Sequence, residues 1–566
     1  MLDLNNISER KKTIIALVFI ILVILIGYLF FGGHYNNLLT DFGREMLFPE
    51  AILDGKVLYK DILCIYFPLA YQINALGYML FGANLSTLET FGLINSIIFA
   101  SVVFLIAKEF LNNKISLLIT LLMIFSAVFN GTLFNFILPY STSLTYGITA
   151  YILSIYLLIK YLKTENIYFS FVAYLIAGFA FACKGEFCLL FLILFFISVI
   201  KKPCGLKNNI INILLFLFFP IVSFGFLFFQ GLTVNEFLLS LDFMKKFFTT
   251  DSMVYHIGKT GGVFTIENFQ KYSISTINFL IFAITSFILF FFTKNNFGKY
   301  FAVLISAILL NYTVVWLHSL MLPLIVFVVF VCKYKNIYSD ITLFVLFVSS
   351  LFLTVRMFWA LTLSTYGIFT LALLLIVGIV LLLKILPEFK YLNKNDLEKF
   401  VIFLLSAYIL FFLSFDIYQR NINNTPIKTE KGIIYLPQKE AETINYAINY
   451  IEKYSNSHQK ILVLPEGTAI NFLVNRDIDL KMHMIDRLYF EAFDEKYILE
   501  NLKNADYEMV FVIKGFGLTN FGKPYLYSDN NIVMKYLKDN YYLDWQTSYD
   551  KKGKENLIKC FVKPYM

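Results

Sequence analysis

The chain has 566 residues, of which 58% are hydrophobic and 15% charged, and its mean hydropathy is +0.70. A water-soluble globule carries about 25% charged residues and about 45–50% apolar ones, so that class is excluded. Much of the net charge of +8 falls in loops between apolar runs, which reads as a membrane-topology signal and not as a nucleic-acid-binding face.

Runs of about 18 or more apolar residues with few charges are bilayer-spanning helices. The stretches near 13–32, 87–107, 115–136, 142–162, 167–183, 187–200, 210–230, 273–293, 300–316, 319–332, 341–357, 365–385 and 399–418 predict about thirteen of them. Porin-type barrels are excluded because the runs do not alternate apolar and polar residues over roughly ten positions. The first run is longer than the apolar core of a signal peptide and lacks a small-x-small cleavage site, so it is read as a retained anchor. With "ERKK" at 9–12 in the cytoplasm, every inner loop holds at least two lysines, as the positive-inside rule requires. The loop 231–272 departs from this, with Lys245, Lys246, Lys259 and Lys271 on the outer side. An odd number of spans places everything after Tyr418 outside.

The first outer loop, 33–82, opens with "TDFGREMLFPEAILDGKVLYKDI" (40–62), in which Asp41, Glu45, Glu50, Asp54 and Asp61 accompany Arg44. Asp41, Arg44 and Glu45 stand at i, i+3 and i+4, so on a helix they share one face. Asp41 has two readings, an N-cap of that helix or a chemical group. "EAILDGKVLY" predicts a short amphipathic helix ending at Asp54-Gly55, and "YFPLAYQINALGYMLFG" (66–82) a second interfacial helix.

Lys184, Glu186, His318 and Arg356 also fall at outer ends of spans. Each has a plain structural reading: the cations snorkel to the headgroups, Glu186 neutralises Lys184, and His318 packs beside Trp316. Their gathering on one face with the acids of the first loop points instead to a polar cavity at the outer interface. The six cysteines stand alone, and Cys183 and Cys188 flank "KGEF" with no histidine at metal spacing. They are expected to be small buried hydrophobes.

After Tyr418 the composition changes. "EAETINYAINYIEKY" (440–454) and "NNIVMKYLKDNYYL" (530–543) read as helices, while "KILVLP" (460–465), "EMVFVIKG" (508–515) and "LIKCFVKP" (557–564) read as strands. The chain therefore divides into a transmembrane region, 1–418, and an extracytoplasmic α/β domain, 419–566. The second has no Gly-rich phosphate loop and is expected to dock or shape substrate.

The order D-x-G-R-E, P-x-x-I-L-x-G-x-x-L-Y-x-D-I, Y-x-P-L-x-Y-x-x-N-A-L and L-F-G after a first span resembles bacterial GT-C-type membrane glycosyltransferases. These are relatives of protein O-mannosyltransferases and of aminoarabinose transferases acting on lipid A. The block covers about forty residues, with "HSLMLP" (318–323) and "STYGIF" (364–369) similar to later family segments. The resemblance implies a polytopic α-helical fold and a polyprenyl-phosphate sugar donor used at the outer face of the bacterial cell membrane. It implies an extracytoplasmic glycan, lipid or cell-envelope acceptor. It also puts a catalytic acid at Asp41 and importance on Asp61, which matches L-Y-x-D. The family often has a second acid directly after the first; here Phe42 follows, and Glu45 is the alternative second carboxylate.

The chemistry needs a base for the acceptor hydroxyl and positive charge on the departing phosphate. Asp41 is the expected base, with Glu45 and Asp61 as further acids. Arg44, Lys184, His318 and Arg356 are the expected phosphate partners. A single lipid phosphate needs divalent metal less than a diphosphate does, so no metal and no cofactor are expected. Two other classes fit the composition: a flippase for lipid-linked sugars, which calls for inverted repeats and charges along the whole pathway, and a membrane scaffold for the α/β domain, which leaves the acidic loop unexplained.

Overall fold

The computed structural model describes residues 8–34, 38, 42–201, 204–259, 265–293, 295–310, 321–355, 367–385, 393–457, 459–513, 531–549 and 556–564. The helices preceding the sheet region are α1 (Glu9–Phe31), α2 (Phe42–Leu53), α3 (Leu69–Phe81), α4 (Leu85–Phe110), α5 (Asn113–Met123), α6 (Thr142–Thr164), α7 (Ile167–Cys183), α8 (Leu189–Phe196) and α9 (Leu206–Phe229). They continue with α10 (Val234–Thr249), α11 (Asp251–Lys259), α12 (Ile266–Phe292), α13 (Asn296–Leu310), α14 (Met321–Cys332), α15 (Tyr334–Ser339), α16 (Ile341–Val355), α17 (Gly367–Val380) and α18 (Lys394–Ile422). A helix stands in the described part of every stretch where a span was expected. Among the described residues, six helices, α1, α4, α6, α9, α17 with its extension to Lys384, and α18, are long and apolar enough to cross a membrane. The protein is a polytopic helical membrane protein.

Burial sorts these helices. α6 is buried along most of its length, so it is a central element. α1 leaves Ile14, Val18, Leu22 and Leu29 exposed, an apolar outer surface that suits lipid and not water. Close approach between α7 and α9 depends on Gly178, where a Cβ would lie 2.0 Å from the carbonyl oxygen of Phe216.

α18 runs straight into the strand β1 (Asn423–Thr429), which forms an antiparallel hairpin with β2 (Gly432–Pro437). The hairpin wedges between the end of α1 and the start of α4. Tyr435 donates its N–H to Gly33 O at 2.8 Å and its ring stacks on His34 at 4.3 Å, while Leu85 N–H reaches Lys431 O at 2.8 Å. There follow α19 (Gln438–Tyr454), β3 (Ile461–Leu464), α20 (Thr468–Val474), α21 (Arg487–Ala492), α22 (Glu495–Ala505), β4 (Met509–Ile513), α23 (Ile532–Asn540), β5 (Tyr542–Tyr549) and β6 (Asn556–Val562). The second sheet has the order β3-β4-β6-β5, with β3 parallel to β4 and the other pairs antiparallel. β3 and β4 are buried at every residue, as continuous apolar strands covered on both faces should be.

Three local expectations are corrected. The segment 530–543 is helical only to Asn540, because Tyr542 already pairs with Val562 in the sheet. The helix expected over 66–82 begins at Leu69, after Pro68, a position where proline's fixed φ and missing N–H cost least. The helix expected from Glu50 is instead continuous from Phe42 and carries Pro49 inside it; its burial against the C-terminal region outweighs the lost backbone bond.

Candidate active site

The site is built on α2. Gly43 makes its first turn possible: a Cβ there would lie 2.1 Å from Ala469 N and 2.3 Å from Thr468 Oγ1 at the start of α20. Further along, Glu50 pairs with Lys431 of the hairpin, and the ring of Phe48 meets His483 edge-on at 5.1 Å between centroids. The C-terminal region thus grips α2 at its beginning, middle and end.

Between these contacts α2 presents Arg44 and Glu45, both buried. Glu45 Oε1 accepts from Tyr71 Oη at 3.0 Å and from Arg44 Nε at 3.2 Å. Oε2 accepts from Thr142 N at 2.9 Å and from Thr142 Oγ1 at 2.5 Å. An ionised carboxylate has about four acceptor positions, and here four donors from three elements fill them. Burial pushes this carboxyl up from the ordinary glutamate range, against the pull of Arg44, Thr142 and Tyr71. Arg44 also donates from Nη2 to Tyr140 O at 3.2 Å, which joins α2 to the loop preceding α6.

A second cation arrives from α7. Lys184 caps that helix with an extended backbone, and its Nζ stands 4.9 Å from the centroid of the Tyr66 ring. Arg44 Cζ lies at the same distance from the same ring. The loop that carries Tyr66 is held from its backbone: Tyr66 O accepts from Tyr59 Oη at 2.7 Å and from Cys64 Sγ at 3.3 Å. Glu186 Oε1 is 3.7 Å from Lys184 Nζ, the ion pair expected from their spacing. Two cations, an aromatic face and a buried acid therefore meet at one end of the bundle.

Asp61 stands apart. Its Oδ2 accepts the N–H of Val57 at 2.9 Å and so closes its own turn. It lines a cleft of about 360 Å³ between the second half of α2 and the segment 475–481, together with Glu50, Asp54, Lys460 and Lys481. Asp41, His318 and Arg356 lie outside the described residues. Among the described residues, no three His, Cys, Asp or Glu side chains are grouped so as to hold a metal ion.

Sequence reading did not single out Tyr66, Tyr71, Thr142 or His483. Tyr66 and Tyr71 sit in the "YFPLAY" element, so their signal was present but read as interfacial packing. Thr142 follows the helix-capping Ser141 and had no signal beyond that. His483 comes from the C-terminal region, more than four hundred positions from α2. It is buried, its Nδ1 is 2.9 Å from Leu480 O, and burial with the charge of Arg44 holds its pKa down at about 4.

Residues 68–226 match the family model described as dolichyl-phosphate-mannose-protein mannosyltransferase, a segment that contains Tyr71, Thr142 and Lys184 but not α2. Among solved structures, ArnT from Cupriavidus metallidurans bound to undecaprenyl phosphate is similar at 10% identity and a TM-score of 0.47, over 96% of this chain and 97% of that one. The oligosaccharyltransferase AglB from Archaeoglobus fulgidus, in complex with an inhibitory peptide and a dolichol-phosphate, is similar at 11% identity and a TM-score of 0.47, over 98% of this chain and 75% of that one. No curated protein matches by sequence. The matched segment is 159 of the 566 residues and begins at Pro68, within the first-loop block that resembles this group of membrane glycosyltransferases.

Proposed function

We propose that the protein transfers a sugar from a polyprenyl-phosphate donor to an acceptor at the extracytoplasmic face of the membrane. In this reading the N-terminus is cytoplasmic, and residues 419–566 form an outer domain that holds α2 in place. The observation that carries the proposal is the meeting of Arg44 and Lys184 over the Tyr66 ring, beside buried Glu45. Two cations gathered at one aromatic ring suit a phosphate that gains charge as it leaves.

Asp41 is adjacent in sequence to the first residue of α2 and is the proposed base. It takes the proton of the acceptor hydroxyl; the hydroxyl oxygen bonds to the anomeric carbon; the bond from that carbon to the phosphate oxygen breaks, and the lipid phosphate keeps the electron pair. Direct displacement inverts the anomeric centre. Glu45, with all four acceptor positions filled, is a positioning residue that aims Arg44. Lys184 and Arg44 take up the phosphate charge, and Arg356 and His318 are further phosphate partners by their place in the sequence. Asp61 keeps the turn before Tyr66 in shape.

Mass analysis of lipid-linked sugars and of envelope glycans, in cells with and without the protein, tests this. One polyprenyl-phosphate sugar should accumulate in its absence while one envelope component loses that sugar. Unchanged pools of both would refute the reading.

A further inference from the structure

Helix α10 begins only five positions after α9 ends, at a capping box of Thr233 and Glu236, and its sides differ sharply. One side is committed to protein. Ser240 Oγ donates to Tyr59 O at 2.9 Å, and Phe237 meets the Tyr59 ring edge-on at 5.6 Å. Phe243 stacks on Phe493 at 4.8 Å, and Phe247 is buried in the same cluster as Leu488. α11 continues the attachment: Glu491 accepts from Ser252 N at 2.8 Å and Ser252 Oγ at 2.6 Å. The arm thus fastens the first loop to the C-terminal region.

The other side is exposed and carries an apolar stripe, flanked by Asn235, Asp242, Lys246 and Thr249. Val234, Leu238, Leu241 and Phe248 are 64%, 55%, 38% and 36% exposed, and at i, i+4, i+7 and i+14 they form one stripe. Isolated exposed apolar side chains need no explanation, but a stripe at helical period does. The stripe follows directly on the exposed apolar side of α9, where Ile221, Val222, Phe226 and Phe229 stand on a helix that is long and apolar enough to cross a membrane. Lys245 falls within the stripe by its helical angle, with a stem that can lie on lipid and an ammonium that can reach a headgroup. Lys246, beside it, is paired with Asp242 at 2.9 Å.

We infer that α10 lies on the bilayer surface, with this stripe at the boundary between headgroups and acyl chains and Lys245 among anionic headgroups. The helix is then a strut. Its lipid side rests on the membrane, and its protein side sets the height of the segment Tyr59–Tyr66, whose Tyr66 faces Arg44 and Lys184.

The test uses the full chain in nanodiscs containing phosphatidylglycerol, with Cys188, Cys204 and Cys332 replaced by serine and a nitroxide at Leu238→Cys, Leu241→Cys or, as a water-exposed control, Tyr446→Cys. Labels at 238 and 241 should be reached several-fold better by oxygen than by a water-soluble nickel chelate, with the reverse ratio at 446. Water-like ratios at both 238 and 241 would overturn the proposal. So would spin–spin broadening at these sites that grows with the number of chains per disc, because a second copy would then cover the stripe. No readout here depends on enzymatic activity.

Discussion

Thr142 gives both of its donors to one carboxylate oxygen of Glu45, the backbone N–H at 2.9 Å and the hydroxyl at 2.5 Å. The first turn of the central helix α6 is thereby tied to the first turn of α2, across 97 positions of sequence. Arg44 hangs on the same acid, so the direction of its guanidinium is decided by α6 as much as by its own helix.

That bond separates two acids that sequence alone left as rivals. Asp41→Asn should leave insertion and thermal stability unchanged, because asparagine caps a helix as well as aspartate does, while turnover drops by about 10²–10⁴. Glu45→Gln removes one partner of a buried ion pair and should cost about 3–5 kcal/mol of stability, with activity falling alongside. Turnover and thermal midpoints of the two purified variants decide the matter. Near-normal turnover in Asp41→Asn would sink its assignment as base.

Lys184→Met keeps most of the stem and removes the charge. The donor Michaelis constant should rise about 10- to 100-fold, as expected for a charged hydrogen bond of about 1.5–3 kcal/mol, with the acceptor constant unchanged. If steady-state kinetics show no change in donor constant or turnover, Lys184 is only the ion-pair partner of Glu186.

His483 makes stability depend on pH. Its pKa is held at about 4 in the fold against an ordinary 6.5, so between these values the unfolded chain binds the extra proton. The stabilisation is complete above about pH 6.5 and is lost as pH falls through the folded value near 4, by about 3 kcal/mol in all. Denaturation midpoints measured from pH 7 to pH 4 should fall less steeply in His483→Gln than in the native protein. Parallel curves would rule out this source of acid sensitivity.

Gly43→Ala tests the grip of the C-terminal region on α2. The new methyl would meet the backbone N of Ala469, which cannot swing aside as a side-chain tip can. The two helices must part, at a cost of about 1–3 kcal/mol. Since Arg44 is the next residue, activity should fall even where the protein still folds at low temperature. Calorimetry beside a turnover assay distinguishes loss of fold from loss of alignment.

The sequence by itself determined the helical membrane class, because unbroken apolar runs must hide every backbone polar group within one segment, and only a helix does so. It also determined the β3 and β4 strands, which are short, apolar and bounded. It brought Arg44 and Glu45 to attention through their spacing, a local property of one helix. Tertiary structure decided which partners these residues meet. Thr142 and Tyr71 join Arg44 in filling the oxygens of Glu45, and Lys184 meets the same Tyr66 ring as Arg44 because it stands at the end of α7. His483 and Gly43 acquire their roles from contacts made across more than four hundred positions. No periodicity or spacing encodes such meetings; they arise when apolar surfaces from distant segments bury one another and carry their few polar side chains to a common place.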